Sequence, residues 1–135
     1  MVTNLVPDLK YRFFWLAVGY ALVALVVVLS VVSNPEIEFD IPNEDKVYHM
    51  LAYFTLMAWF SQIYHDRSRR ILCAVIFILL GILLEYVQSF EPARFSSYGD
   101  VIANTAGVAT GYLLNLTRLE HTLVKIEDMI RRSFS

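Results

Sequence analysis

The polar residues of this chain that could do chemistry interrupt long apolar runs. Glu85 and Gln88, spaced i, i+3, close an apolar run that begins near Ile71, and Asp100 and Asn104, spaced i, i+4, open the next one. Either spacing places both side chains on one face of a helix. Polar and ionisable groups at membrane depth are costly and commonly functional. Because only a short polar connection separates the two pairs, we expect the four side chains to meet at one side of a membrane.

A second set of polar side chains lies upstream and is expected to converge on the first. Asp45, His49 and Tyr53 follow i, i+4, i+8 and form one helical stripe. A carboxylate at hydrocarbon depth needs a cation or a proton, and a guanidinium that pairs with it is also suited to a phosphate or carboxylate ligand. The candidate ligand-binding residues are Asp45, Lys46, His49, Tyr53, Glu85, Gln88, Arg94, Asp100 and Asn104.

Three other interpretations of these residues remain open. A metal site of His49 with Asp45, Glu85 and Asp100 is conceivable, but the usual zinc spacing and any His-x-x-x-His are missing, so we expect no metal and no cofactor. No catalytic residue can be assigned, although His49 and Glu85 are candidates for a general acid or base. A purely structural network, in which Asp100 caps a helix, is the third possibility.

Four apolar runs must position these residues. They cover residues 13–32, 47–64, 71–90 and 101–116. With 57% hydrophobic residues and a mean hydropathy of +0.52, the chain is too apolar for an ordinary soluble domain. Continuous rather than alternating runs predict an all-α fold, a four-helix transmembrane bundle in one domain. The first run resembles a cleaved signal peptide, but its length favours a retained helix.

The basic residues predict the orientation of this bundle. Nine of the 11 would fall on one side of four crossings, and the opposite loop, residues 34–45, is acidic. The positive-inside rule then places both termini in the cytoplasm, with His65 and His121 solvated there. Leu119, Leu123, Ile126 and Ile130 recur at helical spacing, so 118–135 should form an amphipathic cytoplasmic helix on the inner leaflet. A partner-binding helix and a solvated end are the alternatives.

An ordered set of polar residues resembles the VanZ-like family of small bacterial membrane proteins. The set spans about residues 45–114 and reads Asp45-Lys46-x-x-His49-x-x-x-Tyr53, Glu85-x-x-Gln88, Arg94, and Asp100-x-x-x-Asn104-x-x-Gly107-x-x-x-Gly111. The resemblance implies a multi-pass protein of the bacterial cytoplasmic (inner) membrane. The family's namesake is associated with low-level resistance to the glycopeptide teicoplanin, and that phenotype is not carried over to this chain.

The resulting functional hypothesis is an outward-facing polar pocket for a membrane lipid or a lipid-linked cell-envelope precursor. Lys46 and Arg94 would contact the anionic headgroup, Glu85 and Asp100 would hold those cations, and the remaining polar residues would orient the ligand. A net charge of −2 gives no reason to expect nucleic acid as a partner. The alternatives are an enzyme acting on a lipid-linked phosphate or ester, and a structural subunit without a ligand; we expect a non-enzymatic protein.

Overall fold

The described part of the chain consists of helices joined by short connections. The computed structural model describes residues 9–32, 44–90 and 98–135, without the side chains of Glu44, Asp45 and Arg118. The helices are α1 (Arg12–Val31), α2 (Glu44–Ile63), α3 (Arg67–Gln88), α4 (Tyr98–Leu114) and α5 (Thr122–Ser133), with a 3₁₀ turn at Arg118–His121 before α5. The predicted all-α class is confirmed.

Two of the four predicted spans have the length and hydropathy of a membrane-crossing helix. These are α1 and α3, and most of their residues are not buried inside the protein. Large apolar side chains such as Phe13 on α1 and Leu79 on α3 are exposed, as expected where lipid replaces water. The polar N-terminal turns of α2 lower its hydropathy, and α4 has only 17 residues, about 25 Å. The prediction of a helical bundle is therefore confirmed, with two helices of membrane-spanning length. That all four helices cross the membrane stays a prediction.

Helix α2 is the centre of the fold. It packs against α1, α3, α4 and α5, and its side chains form most of the buried apolar cluster. Tyr53, Leu56, Met57 and Phe60 come from α2 and pack with two residues from other helices, Phe77 and Val108. Because α2 is covered on several sides by protein, it needs less lipid-compatible surface than α1 or α3.

Helix α4 packs mainly against α2 through its glycines. A Cβ atom added at Gly111 would lie 2.9 Å from the Phe54 carbonyl oxygen and 2.9 Å from the Met57 Cβ. One added at Gly107 would overlap the Met50 carbonyl oxygen of α2. Small residues at this spacing allow two helix backbones to approach closely. Gly107 and Gly111 therefore lie at a helix–helix contact.

Helix α5 docks on the bundle instead of lying free of it. Leu123 and Val124 pack with Leu9 and Ile63. The buried face of α5 thus differs from the predicted stripe of Leu119, Leu123, Ile126 and Ile130, because of these four only Leu123 is buried. The other three keep an apolar surface exposed, and its contact with the inner leaflet remains a prediction.

A buried carboxylate joins α5 to the start of α1. The oxygens of Glu127 accept hydrogen bonds from the backbone N–H groups of Lys10 (2.6 Å) and Tyr11 (3.1 Å) and from the Trp15 indole Nε1 (2.7 Å). N–H groups at the beginning of a helix have no partner within the helix. Glu127 therefore caps α1 from the far end of the chain. Burial alone would raise the pKa of Glu127, but these donors outweigh it and hold that pKa below its ordinary value.

This contact predicts a specific loss of stability in acid. The pKa of Glu127 is lower in the folded protein than in the unfolded chain. Its contribution to the stability of the folded protein is therefore fully present above the unfolded carboxyl pKa, about 4.3, and is lost as the pH falls through the folded pKa. Glu127→Gln should have a lower unfolding temperature than the wild type at pH 7. When the pH is lowered, its unfolding temperature should then fall by less than that of the wild type. Asp128→Asn, at a half-exposed neighbour, is the matched control. Identical acid profiles for wild type and Glu127→Gln would contradict the assignment.

Candidate functional site

The polar cluster, defined here as Lys46, His49, Glu85, Asp100 and Asn104, lies where three helix ends meet. Lys46 and His49 belong to the first two turns of α2, Glu85 to the last turn of α3, and Asp100 and Asn104 to the first two turns of α4. Helix α3 packs against both α2 and α4, so its C-terminal end comes beside their N-terminal ends. Five of the nine sequence-predicted residues are brought together in this way.

Two side-chain contacts connect α2 to α4 within the cluster. The Lys46 Nζ lies 3.4 Å from Asp100 Oδ1, and the Lys46 side chain is 36% exposed whereas that of Asp100 is 6% exposed. The His49 Nδ1 lies 3.0 Å from Asn104 Oδ1. Because an amide oxygen can only accept, Nδ1 is the donor in this contact. Lys46 thus lies at the rim of the cluster, and the two α4 side chains are buried beneath it.

The centre of the cluster brings an imidazole close to two carboxylates. Ligating atoms of His49, Glu85 and Asp100 all lie within 4.8 Å of one another. Glu85 and Asp100 are both buried. A buried carboxylate is favoured as an ion only when a cation or a hydrogen-bond donor faces it. The arrangement has the residue types for proton transfer, for cation binding, or for holding Lys46 toward an anionic ligand.

Two more of the predicted residues have structural contacts next to the polar cluster. The Gln88 Nε2 donates to the Ser30 carbonyl oxygen at 2.7 Å, so Gln88 ties the end of α3 to the last turn of α1. Tyr53 is 2% exposed and packs in the apolar core one turn beyond His49. These positions favour holding the helices over contacting a ligand at the rim.

The other two predicted residues cannot be placed. Arg94 lies in residues 91–97, outside the described part of the chain, and the side chain of Asp45 is also outside it. The backbone of Asp45 belongs to the first turn of α2. Their participation in the site stays a prediction.

A second polar cluster, Gln62, Arg70, Asn115 and Glu120, lies at the opposite end of the bundle. Arg70 is 6% exposed, and its guanidinium donates to three backbone carbonyl oxygens: Tyr64 (2.7 Å), Ser61 (3.0 Å) and Asn115 (3.3 Å). Helices α2 and α4 end at these carbonyls, which have no partner within their own helices. The Glu120 carboxylate lies 3.6 Å from the same guanidinium. Arg70 therefore caps two helices at once.

Amide side chains extend the second polar cluster to α5. The Gln62 Nε2 donates to Asn115 Oδ1 (2.9 Å) and to the Leu119 carbonyl (2.7 Å), and Gln62 Oε1 accepts from the Leu123 N–H (3.1 Å). His65 is half-buried beside His121, with 5.2 Å between ring centroids, and the His121 side chain is 31% exposed, so the two histidines are partly solvated. Burial is the main cause that lowers the pKa of His65.

Sequence reasoning missed the second polar cluster because it counted Arg70 as loop charge. Arg67, Arg69 and Arg70 are consecutive basic positions in the sequence, and composition alone does not distinguish them. A usable signal was present in Gln62 and Asn115, which are isolated amides at the ends of apolar runs. Such groups need hydrogen-bond partners when buried, and the buried arginine completes the set.

Comparison with known proteins decides the family. The family model described as VanZ/LLP1 matches residues 10–119, which include α1 to α4 and the polar cluster. The chain belongs to the VanZ/LLP1 family. This VanZ/LLP1 protein is a membrane protein, as its family and its two long apolar helices together indicate.

A relative from a eukaryote shares much of the VanZ/LLP1 region. The chain is 32% identical over 90 residues to "Uncharacterized protein C11E3.10" of Schizosaccharomyces pombe, an alignment that covers 64% of this chain and 55% of the relative. The chain therefore spans about half the length of that protein. No solved structure matches the chain significantly.

Proposed function

We propose that this VanZ/LLP1 protein binds an anionic membrane lipid, or a lipid-linked envelope precursor, at the polar cluster. The observation that supports this proposal is the convergence of Lys46, His49, Glu85, Asp100 and Asn104 from three helices at one end of a lipid-exposed bundle. Buried polar groups are costly beside hydrocarbon, and a headgroup with its own charge could repay that cost. A lipid headgroup could also reach the polar cluster while its acyl chains stay in the membrane.

Lys46 has the position of an anion contact. Its ammonium is partly exposed at the rim, while Asp100 below it is buried and holds the chain toward the cluster. An ammonium is a strong donor to phosphate oxygens, and its three N–H groups can serve more than one acceptor. His49 and Asn104 would orient the remaining headgroup atoms. Arg94 would add a second cation from the connection before α4.

The proposed orientation places this cluster on the outer side of a bacterial inner membrane. A multi-pass arrangement with both termini in the cytoplasm puts the second polar cluster and α5 on the inner side. The basic residues Lys125, Arg131 and Arg132 of α5 then face the cytoplasmic leaflet, where positive charge is favoured. Since α1 to α4 alternate in direction, the ends of α2, α3 and α4 that carry the polar cluster open outward.

Native mass spectrometry tests the lipid proposal. Wild-type protein transferred from nanodiscs of phosphatidylglycerol and phosphatidylcholine should retain phosphatidylglycerol in preference. Lys46→Gln should weaken that retention roughly ten- to a hundredfold, because a charge-assisted hydrogen bond contributes about 1.5–3 kcal/mol. The readout is the fraction of protein ions that keep an anionic lipid at each activation energy.

Lys125→Gln is the matched control, since it removes the same charge from an exposed position on α5. It should keep its lipid. If Lys46→Gln and Lys125→Gln lost equal amounts of retained lipid, lipid retention would depend only on the net charge of the protein. The polar cluster would then be a structural network without a ligand.

A hydrolytic function is the second candidate, and one observation favours it. The His49 imidazole lies within 4.8 Å of two carboxylates, a grouping that could move a proton to or from a phosphate or ester. This alternative predicts that purified protein releases the headgroup of a bound lipid and that His49→Gln abolishes release. Lipid retained intact over many hours would favour binding without turnover.

A further inference from the structure

The three ionisable groups at the centre of the polar cluster lie close enough together to hold one metal ion after small shifts. Ligating atoms about 2.0–2.2 Å from a tetrahedral zinc-like ion stand roughly 3.3–3.6 Å from each other. Atoms of His49, Glu85 and Asp100 lie within 4.8 Å of one another. At the upper limit of that separation, side-chain shifts that total about an ångström would bring them into range. Each residue comes from a different helix, so a bound ion would join α2, α3 and α4.

The surroundings of His49 and Asp100 resemble the outer shell of a metal site. A histidine that binds a metal ordinarily donates its other ring N–H to an oxygen, which fixes the tautomer. The His49 Nδ1 contacts Asn104 Oδ1 at 3.0 Å, so Nε2 of the neutral imidazole would be the atom that binds an ion. Asp100 has two carboxylate oxygens, of which Oδ1 contacts Lys46.

The charge of the cluster supplies a separate reason. Its described ionisable side chains are the Lys46 ammonium, the carboxyl groups of Glu85 and Asp100, and the His49 imidazole. The two carboxyl groups, when ionised, oppose the binding of an anionic headgroup that Lys46 favours. One divalent cation would make the set positive and would offer open coordination positions to a phosphate oxygen. The acidic centre would then assist the binding of an anion.

We propose that His49, Glu85 and Asp100 bind a divalent metal ion, which bridges the protein to the phosphate of the bound lipid. The bridging role rests on the proposed function, whereas the ion site itself does not. One imidazole nitrogen and two carboxylate oxygens suit Mn²⁺, Fe²⁺ or Zn²⁺. The sequence offered these three residues, with Asp45, as a conceivable metal set, but no metal was expected there because the usual ligand spacing is missing. That spacing is missing because the ligands lie on three separate helices.

Mn²⁺ titration of the full-length protein tests the ion site. The protein is stripped with EDTA in detergent, and free Mn²⁺ is followed by electron paramagnetic resonance. We expect one Mn²⁺ per chain, and a rise in the thermal unfolding temperature that excess EDTA reverses. His49→Gln and Asp100→Asn should weaken binding more than tenfold, and Asn104→Ala by about 10- to 100-fold. Asp128→Asn on α5 is the control and should bind as wild type.

The outcomes for the ion and for the lipid are separable. Two results would overturn the ion site, whether or not lipid is retained. One is that the folded wild type shows no saturable binding at millimolar Mn²⁺, and the other is that His49→Gln binds Mn²⁺ as tightly as the wild type. Native mass spectrometry with Mn²⁺ or EDTA then tests the bridge. Phosphatidylglycerol retained only with Mn²⁺ supports it, and equal retention in EDTA contradicts it while leaving the proposed function intact. If Mn²⁺ binds but no lipid is retained, the ion site stands, and both the proposed function and the bridge are contradicted.

Discussion

Replacing Arg70 with methionine should lower the free energy of unfolding by about 3 kcal/mol or more. The guanidinium donates to the carbonyls of Ser61, Tyr64 and Asn115, and methionine would leave these buried acceptors without their donor. Each buried acceptor left unsatisfied costs about 1–3 kcal/mol. Methionine fills a similar volume, so the loss would report on the hydrogen bonds more than on packing. Unfolding in detergent with increasing denaturant, followed by circular dichroism, gives the measurement.

Arg69 provides a control one residue away. Its side chain is 57% exposed, and it lies 3.7 Å from the exposed Asp66 carboxylate. Exposed ion pairs of this kind contribute about 0–1 kcal/mol. Arg69→Met should therefore change stability little. Similar losses for the two variants would mean that Arg70 acts only through surface charge, and the assignment of Arg70 as a double helix cap would be wrong.

Gly107→Leu should also destabilise the fold by about 3 kcal/mol, at the upper end of the cost of overpacking. A Cβ atom at Gly107 would overlap the backbone of α2 at Met50, and a backbone carbonyl cannot rotate away as a side chain can. The leucine would force α2 and α4 apart and would disturb the contacts of the polar cluster above. Thermal unfolding in detergent and the lipid retention of the variant would both decrease.

The same helix supplies the control for this substitution. Ala109 is exposed on α4, and Ala109→Leu adds the same apolar bulk on a face that does not pack against the bundle. That variant should unfold within a few degrees of the wild type. If Gly107→Leu were as stable as Ala109→Leu, the close approach of α2 and α4 would be refuted.

The apolar helices and the small-residue contact were predictable because their signals are local. A continuous apolar run such as α1 or α3 follows directly from the sequence, and glycines four residues apart indicate a helix contact without knowledge of the partner. The convergence of Glu85 with Asp100 also followed, since a short connection joins their helices. His49 was placed with them on the assumption that the bundle is compact, and the structure agrees.

The remaining features depend on pairings that are distant in the sequence. Glu127 caps α1 from more than 100 residues away, and nothing local to Glu127 identifies Lys10 or Tyr11 as its donors. The central position of α2 could not be read from hydropathy, because burial by protein and burial by lipid favour similar residues. Arg70 was misassigned for a related reason: the positive-inside rule treats every basic residue near a helix end as solvated.

Docking of α5 connects the two ends of the chain. Glu127 holds the start of α1, and Gln62 joins α2 to the backbone of Leu119 and Leu123. The C-terminal segment thus contacts the same helix, α2, that carries Lys46 and His49 at its other end. The second polar cluster joins helix ends through hydrogen bonds, and under the proposed function the polar cluster is the end that binds lipid.

The most direct test of the central claim is a nitrogen–phosphorus distance inside the polar cluster. His65→Gln with His121→Gln leaves His49 as the single histidine, which is then labelled with ¹⁵N. In bilayers that contain phosphatidylglycerol, solid-state nuclear magnetic resonance should detect a ¹⁵N–³¹P dipolar coupling at the His49 ring, and Lys46→Gln should remove it. A folded protein whose His49 ring shows no coupling to lipid phosphorus would contradict the claim that a headgroup enters this site.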